Sequence, residues 1–149
     1  MFIFDTDHLV IIQQATQPEF ARVSERMADY EGADFFVSIV TFHEQVMGWS
    51  TYLSRARTRD SVVRAYDKFR KILVDFAALQ VLPFDGAAAE AFDSLREQRV
   101  RVGTMDLRIA STALARNYTV LTRNLVDFRK VPGLRVEDWT AVRQASGRS

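Results

Sequence analysis

Apolar positions along the chain fall into short unbroken runs alternating with longer stretches of helical spacing. Phe2 to Phe4 is such a run, closed by Asp5 and Thr6, and predicts a short buried strand. Leu9 to Ile12 opens a helix. Pro18 suits the first turn of a second helix reaching about Tyr30, ended by Gly32. Asp34 to Ser38, aromatic and β-branched, predicts the next strand. A long helix follows from Thr41 through FHEQVMGWSTYLSRA. Another runs from about Asp60 to Leu79, with Val62, Val63, Tyr66, Phe69 and Leu73 at helical spacing. VLPF is a third strand stopped by Asp85 and Gly86, and AAAEAFDSLREQRV a helix. Gly103 and Thr104 open DLRIASTALAR, with Thr104 as N-cap. YTVLT is a fourth strand and LRVED a weak fifth. The tail QASGRS is small and polar, and is expected to fray.

Strands alternating with helices predict an α/β domain with a mainly parallel central sheet of four to five strands and helices on both faces. In such sheets ligands bind beyond the carboxyl ends of the strands. Acids cluster at those positions. Asp5 ends the first strand, and Glu44 lies one turn into the helix after the second. Asp106 is in the first turn of the helix before the fourth strand. Asp127 follows that strand, with Asn124 three residues earlier. Taken singly, each reads as a turn or cap residue, and Asp7 as the cap of the first helix. Four carboxylates at one rim, five with Asp7, repel one another unless a cation joins them. An all-oxygen set favours Mg²⁺ or Mn²⁺, which acidifies water and offsets phosphodiester charge.

These residues resemble the PIN-domain ribonucleases, and among them the VapC-type toxins of bacterial toxin–antitoxin pairs. The likeness covers nearly the whole chain. Its strongest stretch is VGTMDLRIASTALARNYTVLTRNLVDFRKVPGLRVEDW, Val102 to Trp139. FDTDHL resembles the family's opening strand followed by Asp-Thr-Asn, and SIVTFHEQVMG its Ser-x-x-Thr-x-x-Glu helix start. The resemblance implies a PIN-like three-layer α/β/α nuclease domain over residues 1–140, with 141–149 as the tail. It implies Asp5, Glu44 and Asp106 as core metal ligands and Asp127 as the fourth acid. Thr6, Thr122 and Asn124 would shape the site. Asp7 departs from the family's usual Asn. The resemblance further implies metal-dependent endoribonuclease activity, a homodimer, and inhibition by a small VapB-like antitoxin.

Composition limits the alternatives. The 149 residues suit one domain, and 48% hydrophobic with 26% charged residues is globular. No apolar run is long enough for a spanning helix, and no basic leader with a cleavage site is present. The absence of cysteine fits a reducing cytoplasm. A net charge of +1 leaves RNA binding to local patches, for which Arg108, Arg123 and Arg129, near the proposed ligands, are candidates for phosphate contact. The targets expected are tRNA or rRNA. His8 and His43 read as structural or surface residues, and Val46, Trp49, Tyr52 and Leu53 as a packing stripe. The rival reading makes Asp5 and Asp7 the nucleophile and acid of a haloacid-dehalogenase-like phosphatase. That chemistry lacks a suitably placed lysine and leaves Glu44 without a role. A PIN-fold domain that binds RNA or protein without cutting is the third class.

Overall fold

The computed structural model describes residues 1–143. The expected tail lies outside them, except for its first three residues. In chain order the elements are β1 (Phe2–Phe4), α1 (Thr6–Gln14), α2 (Glu19–Met27), β2 (Phe35–Ser38), α3 (Ile39–Ser54) and α4 (Arg59–Ala77). There follow β3 (Val81–Leu82), α5 (Gly86–Glu97), α6 (Thr104–Arg116), β4 (Thr119–Leu121), α7 (Leu125–Phe128) and β5 (Val136–Glu137). The five strands form one sheet in the order β3-β2-β1-β4-β5. Every pairing is parallel, so the expected mainly parallel sheet is wholly so.

The sheet is buried on both faces because its strands alternate two apolar sets. Ile3 faces one core with Val120, and α5, α6 and α7 cover it with Leu95, Leu107, Ile109 and Phe128. Phe2 and Phe4 face the opposite core with Phe35, Val37 and Leu121, covered by Leu9 of α1, Val23 of α2, and Ile72 and Phe76 of α4. Register locks this arrangement: Ile3 stands beside Phe36 on one side and Val120 on the other. A slip of one residue would turn every side chain of β1 to the wrong core. The result is the three-layer α/β/α arrangement expected.

The direction in which successive strands are added across the sheet reverses between β1 and β4. From β1 the chain moves outward through β2 to β3, then crosses back to β4 and β5. The crevice at the carboxyl ends of β1 and β4 is therefore the switch point where such sheets place ligands.

Several element ends differ from the expectation. The third helix begins at Ile39 rather than Thr41, because the Ser38 side chain accepts the Val40 N–H at 3.0 Å and caps it there. Two β-branched residues had masked that start. Gly103, not Thr104, is the N-cap of α6, and it caps without a side-chain bond. Asp5, not Asp7, caps α1, accepting the Thr6 N–H at 2.7 Å. The turn of helix α7 was not anticipated. Val46 and Trp49 pack against the α1–α4 core as expected, while Tyr52 stands at the surface against Trp49.

Ile3 has no solvent exposure and contacts both flanking strands. Ile3→Ala is expected to destabilise the protein by about 2–5 kcal/mol, measured by urea unfolding. A cost below about 1 kcal/mol would mean that this face of the sheet is not close-packed.

Candidate metal centre

The rim is assembled from chain segments far apart in sequence. Asp5 leaves β1 at the switch point, 6% exposed. Its backbone N–H continues the ladder to Leu121 O at 2.9 Å, which brings the end of β4 beside it. The buried Thr122 hydroxyl then donates to Asp5 Oδ2 at 2.7 Å, across 117 residues of sequence. That hydroxyl also accepts the Asn124 N–H at 3.0 Å. From the other side, the Thr6 hydroxyl lies 3.4 Å from both Glu44 Oε2 and Thr41 Oγ1. Asp106, in the first turn of α6, is close enough for its charge to act on both Asp5 and Glu44.

Electrostatics divides the five acids into two groups. Burial pushes Asp5 up to about 7, and the charges of Asp7 and then Asp106 add to it, against hydrogen bonds from Thr122 and Thr6. Glu44 is raised by burial and then by the charge of Asp106, opposed only by the Thr6 hydroxyl. Asp106 is raised by burial, then by Asp127 and Asp7. These three carboxylates have too little positive company.

The other two are already provided for. Burial alone would raise Asp7, but hydrogen bonds from His8 and the Arg123 N–H hold it below the usual range. Its Oδ1 meets His8 Nδ1 at 2.8 Å and its Oδ2 accepts the Arg123 N–H at 2.9 Å. Asp127 is lowered by hydrogen bonds from Asn124, at 3.1 Å, and Lys130, at 3.1 Å.

His8 is wholly buried, in keeping with a structural role. The Trp139 backbone N–H donates to its Nε2 at 3.1 Å, so Nε2 carries no proton and Nδ1 donates to Asp7. Asp7 thus ties the β4 exit loop, through His8, to the chain beyond β5. His43 is exposed.

A hard divalent ion fits the residues present. The donors are all carboxylate oxygens, and Glu44 Oε1 is buried with no hydrogen-bond partner among the described residues. As they stand, no three His, Cys, Asp or Glu side chains among the described residues are grouped closely enough to hold a metal ion. The acids share an electrostatic field rather than a finished cage.

Of the arginines singled out by sequence, Arg123 and Arg129 are exposed. Arg123 enters the rim by way of its backbone bond to Asp7. Arg108 lies over the Phe92 ring at 5.7 Å. Sequence reading gave no role to Thr41, although it stands three residues before Glu44, one turn away on the same helix face. It also gave none to Lys130, one turn past Asp127.

An all-parallel sheet with acids gathered at its switch point defines an α/β domain with an acidic cleft where such folds bind their ligands. The family described as PIN domain matches residues 2–134, and the chain belongs to it. It is similar to the tRNA(fMet)-specific endonuclease VapC of Salmonella typhimurium, 32% identical over 107 residues that cover 69% of this chain and 74% of that protein. Among solved structures, the DNA-bound VapBC of Salmonella typhimurium superposes with a TM-score of 0.72 at 27% identity, covering 93% of this chain and 97% of that one. VapBC-1 of nontypeable Haemophilus influenzae shares the fold, with a TM-score of 0.72 at 20% identity, covering 94% and 98%.

The raised carboxylates set the pH dependence of stability without divalent ions. The Asp5 pKa is higher folded, about 7, than unfolded, 3.8. The native state therefore binds more protons between those values, and stability falls as pH rises through that window. In EDTA, Asp5→Asn is expected to flatten the slope and to be more stable than the parent at pH 8 by on the order of 2 kcal/mol. Urea unfolding at pH 5 and pH 8 checks this; parallel slopes for the two proteins would reject it.

Proposed function

We propose that this chain is a metal-dependent endoribonuclease, the toxin of a toxin–antitoxin pair, with residues 1–140 as its nuclease domain. The observation that carries the reading is the sorting of the acids. Asp5, Glu44 and Asp106 are held above the ordinary carboxylate range at the switch point, short of positive charge, while Asp7 and Asp127 are already engaged. Family membership and likeness to a protein named as a tRNA endonuclease support RNA as substrate. A tRNA or rRNA is the class to test first.

Asp5, Glu44 and Asp106 are the proposed ligands of Mg²⁺ or Mn²⁺, with Asp127 as a fourth acid at the outer edge. Such an ion acidifies water and offsets the negative charge of the phosphodiester. The protein's part is positioning. Thr122 fixes one Asp5 oxygen, the Thr6 N–H holds the other, and the Thr6 hydroxyl steadies one Glu44 oxygen while leaving its partner open. Asp127, kept ionised by Asn124 and Lys130, is suited to orient a water at the rim. Arg108, Arg123 and Arg129 are suited to phosphate contact. Hydrolysis joins a water oxygen to phosphorus and breaks one phosphorus–ribose oxygen bond.

The phosphatase alternative needs Asp7 as a general acid. Both Asp7 oxygens are occupied and its pKa is lowered, so it is poorly placed to hold a transferable proton. A protein partner is supported by the outer side of α4, where Val63, Tyr66, Leu73 and Val74 are each at least half exposed. The neighbours solved as VapBC complexes make a VapB-like antitoxin the partner to test, beside a homodimer. Among the described residues no helix is long and apolar enough to cross a membrane, and the cytoplasm is the proposed compartment.

Purified chain is expected to cut folded tRNA or rRNA fragments at discrete sites with Mg²⁺ or Mn²⁺ and not with EDTA. Asp106→Asn and Glu44→Gln should each slow cutting by about 100-fold or more without lowering the melting temperature. Cutting that persists in both variants, or in EDTA, would overturn the assignment. Thr122→Val should leave the fold intact and weaken Mn²⁺ binding by about tenfold, read from the Mn²⁺ dependence of the melting temperature. In the parent that dependence should reach about 2.7 kcal/mol at a hundredfold excess over Kd; no shift would count against a metal site.

A further inference from the structure

Next to the acids, towards the β3 edge of the sheet, lies an open depression of about 310 Å³ lined by Ile39, Val40, His43, Phe84 and Arg108. Ile39 and His43 are one turn apart on the exposed start of α3, and His43 immediately precedes Glu44. Ile39 is 40% exposed although its neighbour Val40 is buried. Phe84, just beyond β3, is half-buried and packs edge-on against Phe92, with ring centroids 6.3 Å apart. Arg108, two residues after Asp106, spans the same Phe92 ring. Among the described residues it forms no ion pair, and no carboxylate lines the depression.

The chemistry of this lining is mixed in a particular way. An apolar floor, an aromatic ring, an imidazole and an uncompensated guanidinium suit a flat π-system attached to a negatively charged backbone. By contrast, the cleft between α1, α3 and α4 is lined by polar groups that already bond one another, Gln13 to Gln45 and to Asp75. The position also fits. β2 and β3 lie one and two strands from β1, about 5–10 Å away across the sheet, within reach of a nucleotide adjoining one held at the acids.

We propose that this depression receives one base of the RNA, next to the bond that is cut, by stacking against Phe84 and His43 beneath Arg108. It is then a determinant of which sequences are cleaved. The inference rests on the nuclease reading above.

The test uses short single-stranded oligoribonucleotides in which each residue flanking the cut bond is made abasic in turn. Cutting is measured on the chain itself, and binding on Asp106→Asn by fluorescence anisotropy. At one position the abasic change should weaken binding and kcat/KM by about tenfold, the size of one lost stacking contact. His43→Ala, an exposed change, should shrink that penalty to about twofold. Phe84→Ala should shrink it too, and Phe84→Tyr, which keeps the ring, should restore it. Penalties unchanged in His43→Ala and Phe84→Ala, or absent at every position while the chain still cuts, would overturn the pocket and leave the nuclease reading standing. A base effect on binding that depends on the pocket, without cutting, would keep the pocket and remove the nuclease reading. Neither binding nor cutting of any oligonucleotide would overturn both.

Discussion

The site depends on one costly contact, a carboxylate buried at the end of the central strand. A lone ionised group in such a place is strongly disfavoured unless donors or a cation compensate it. The Thr122 hydroxyl and the Thr6 N–H do part of that work for Asp5, and only part, since its pKa still stands near 7. The surroundings explain why Asp5 is nonetheless fixed there. It is the residue at which β1 stops, α1 is capped, and the ladder to β4 makes its last backbone bond. Its position is set by the fold, and the fold leaves its charge unsettled.

Around this contact the remaining groups divide the labour. Glu44 and Asp106 extend the unsettled charge on one side. On the other, Asp7 holds the Arg123 N–H while Asn124 and Lys130 both bond Asp127, and these contacts shape the loop after β4. His8 anchors that loop from beneath, and its tautomer follows from the Trp139 N–H it accepts. Acids whose charge is already balanced thus stand beside carboxylates whose charge is not. A cleft of that kind holds its shape while keeping a strong local demand for positive charge.

Most of the architecture was legible because it rests on alternation. Ile3 between Phe2 and Phe4, and Phe36 between Phe35 and Val37, show a sheet buried on both faces. Acids after the strands locate its functional rim. What the sequence hid were matters of local competition. Ile39 and Val40 look like strand, yet the Ser38 hydroxyl starts a helix there. Thr104 looks like a cap, yet Gly103 holds that place. The separation of Asp7 from Asp5 was illegible for a deeper reason. The two flank Thr6 with the same charge, and what gives them opposite electrostatic fates is the deeper burial of Asp5 together with the neighbouring His8 and the Arg123 N–H, which folding brings to Asp7.

The parallel pairing of β1 with β4 also governs when the site can exist during synthesis. Of the five strands, the earliest in the chain is the middle of the sheet, and its partner on the switch-point side is the fourth. Until residues beyond Thr122 emerge, Asp5 lacks both its backbone anchor and its hydroxyl donor, and α6 has not brought Asp106 into place. His8 waits longer still, for Trp139. A nascent chain therefore carries Asp5 and Glu44 well before the segments that bring Asp106 and the Thr122 hydroxyl to them. The fold itself delays assembly of the centre until the segment through Trp139 has been made.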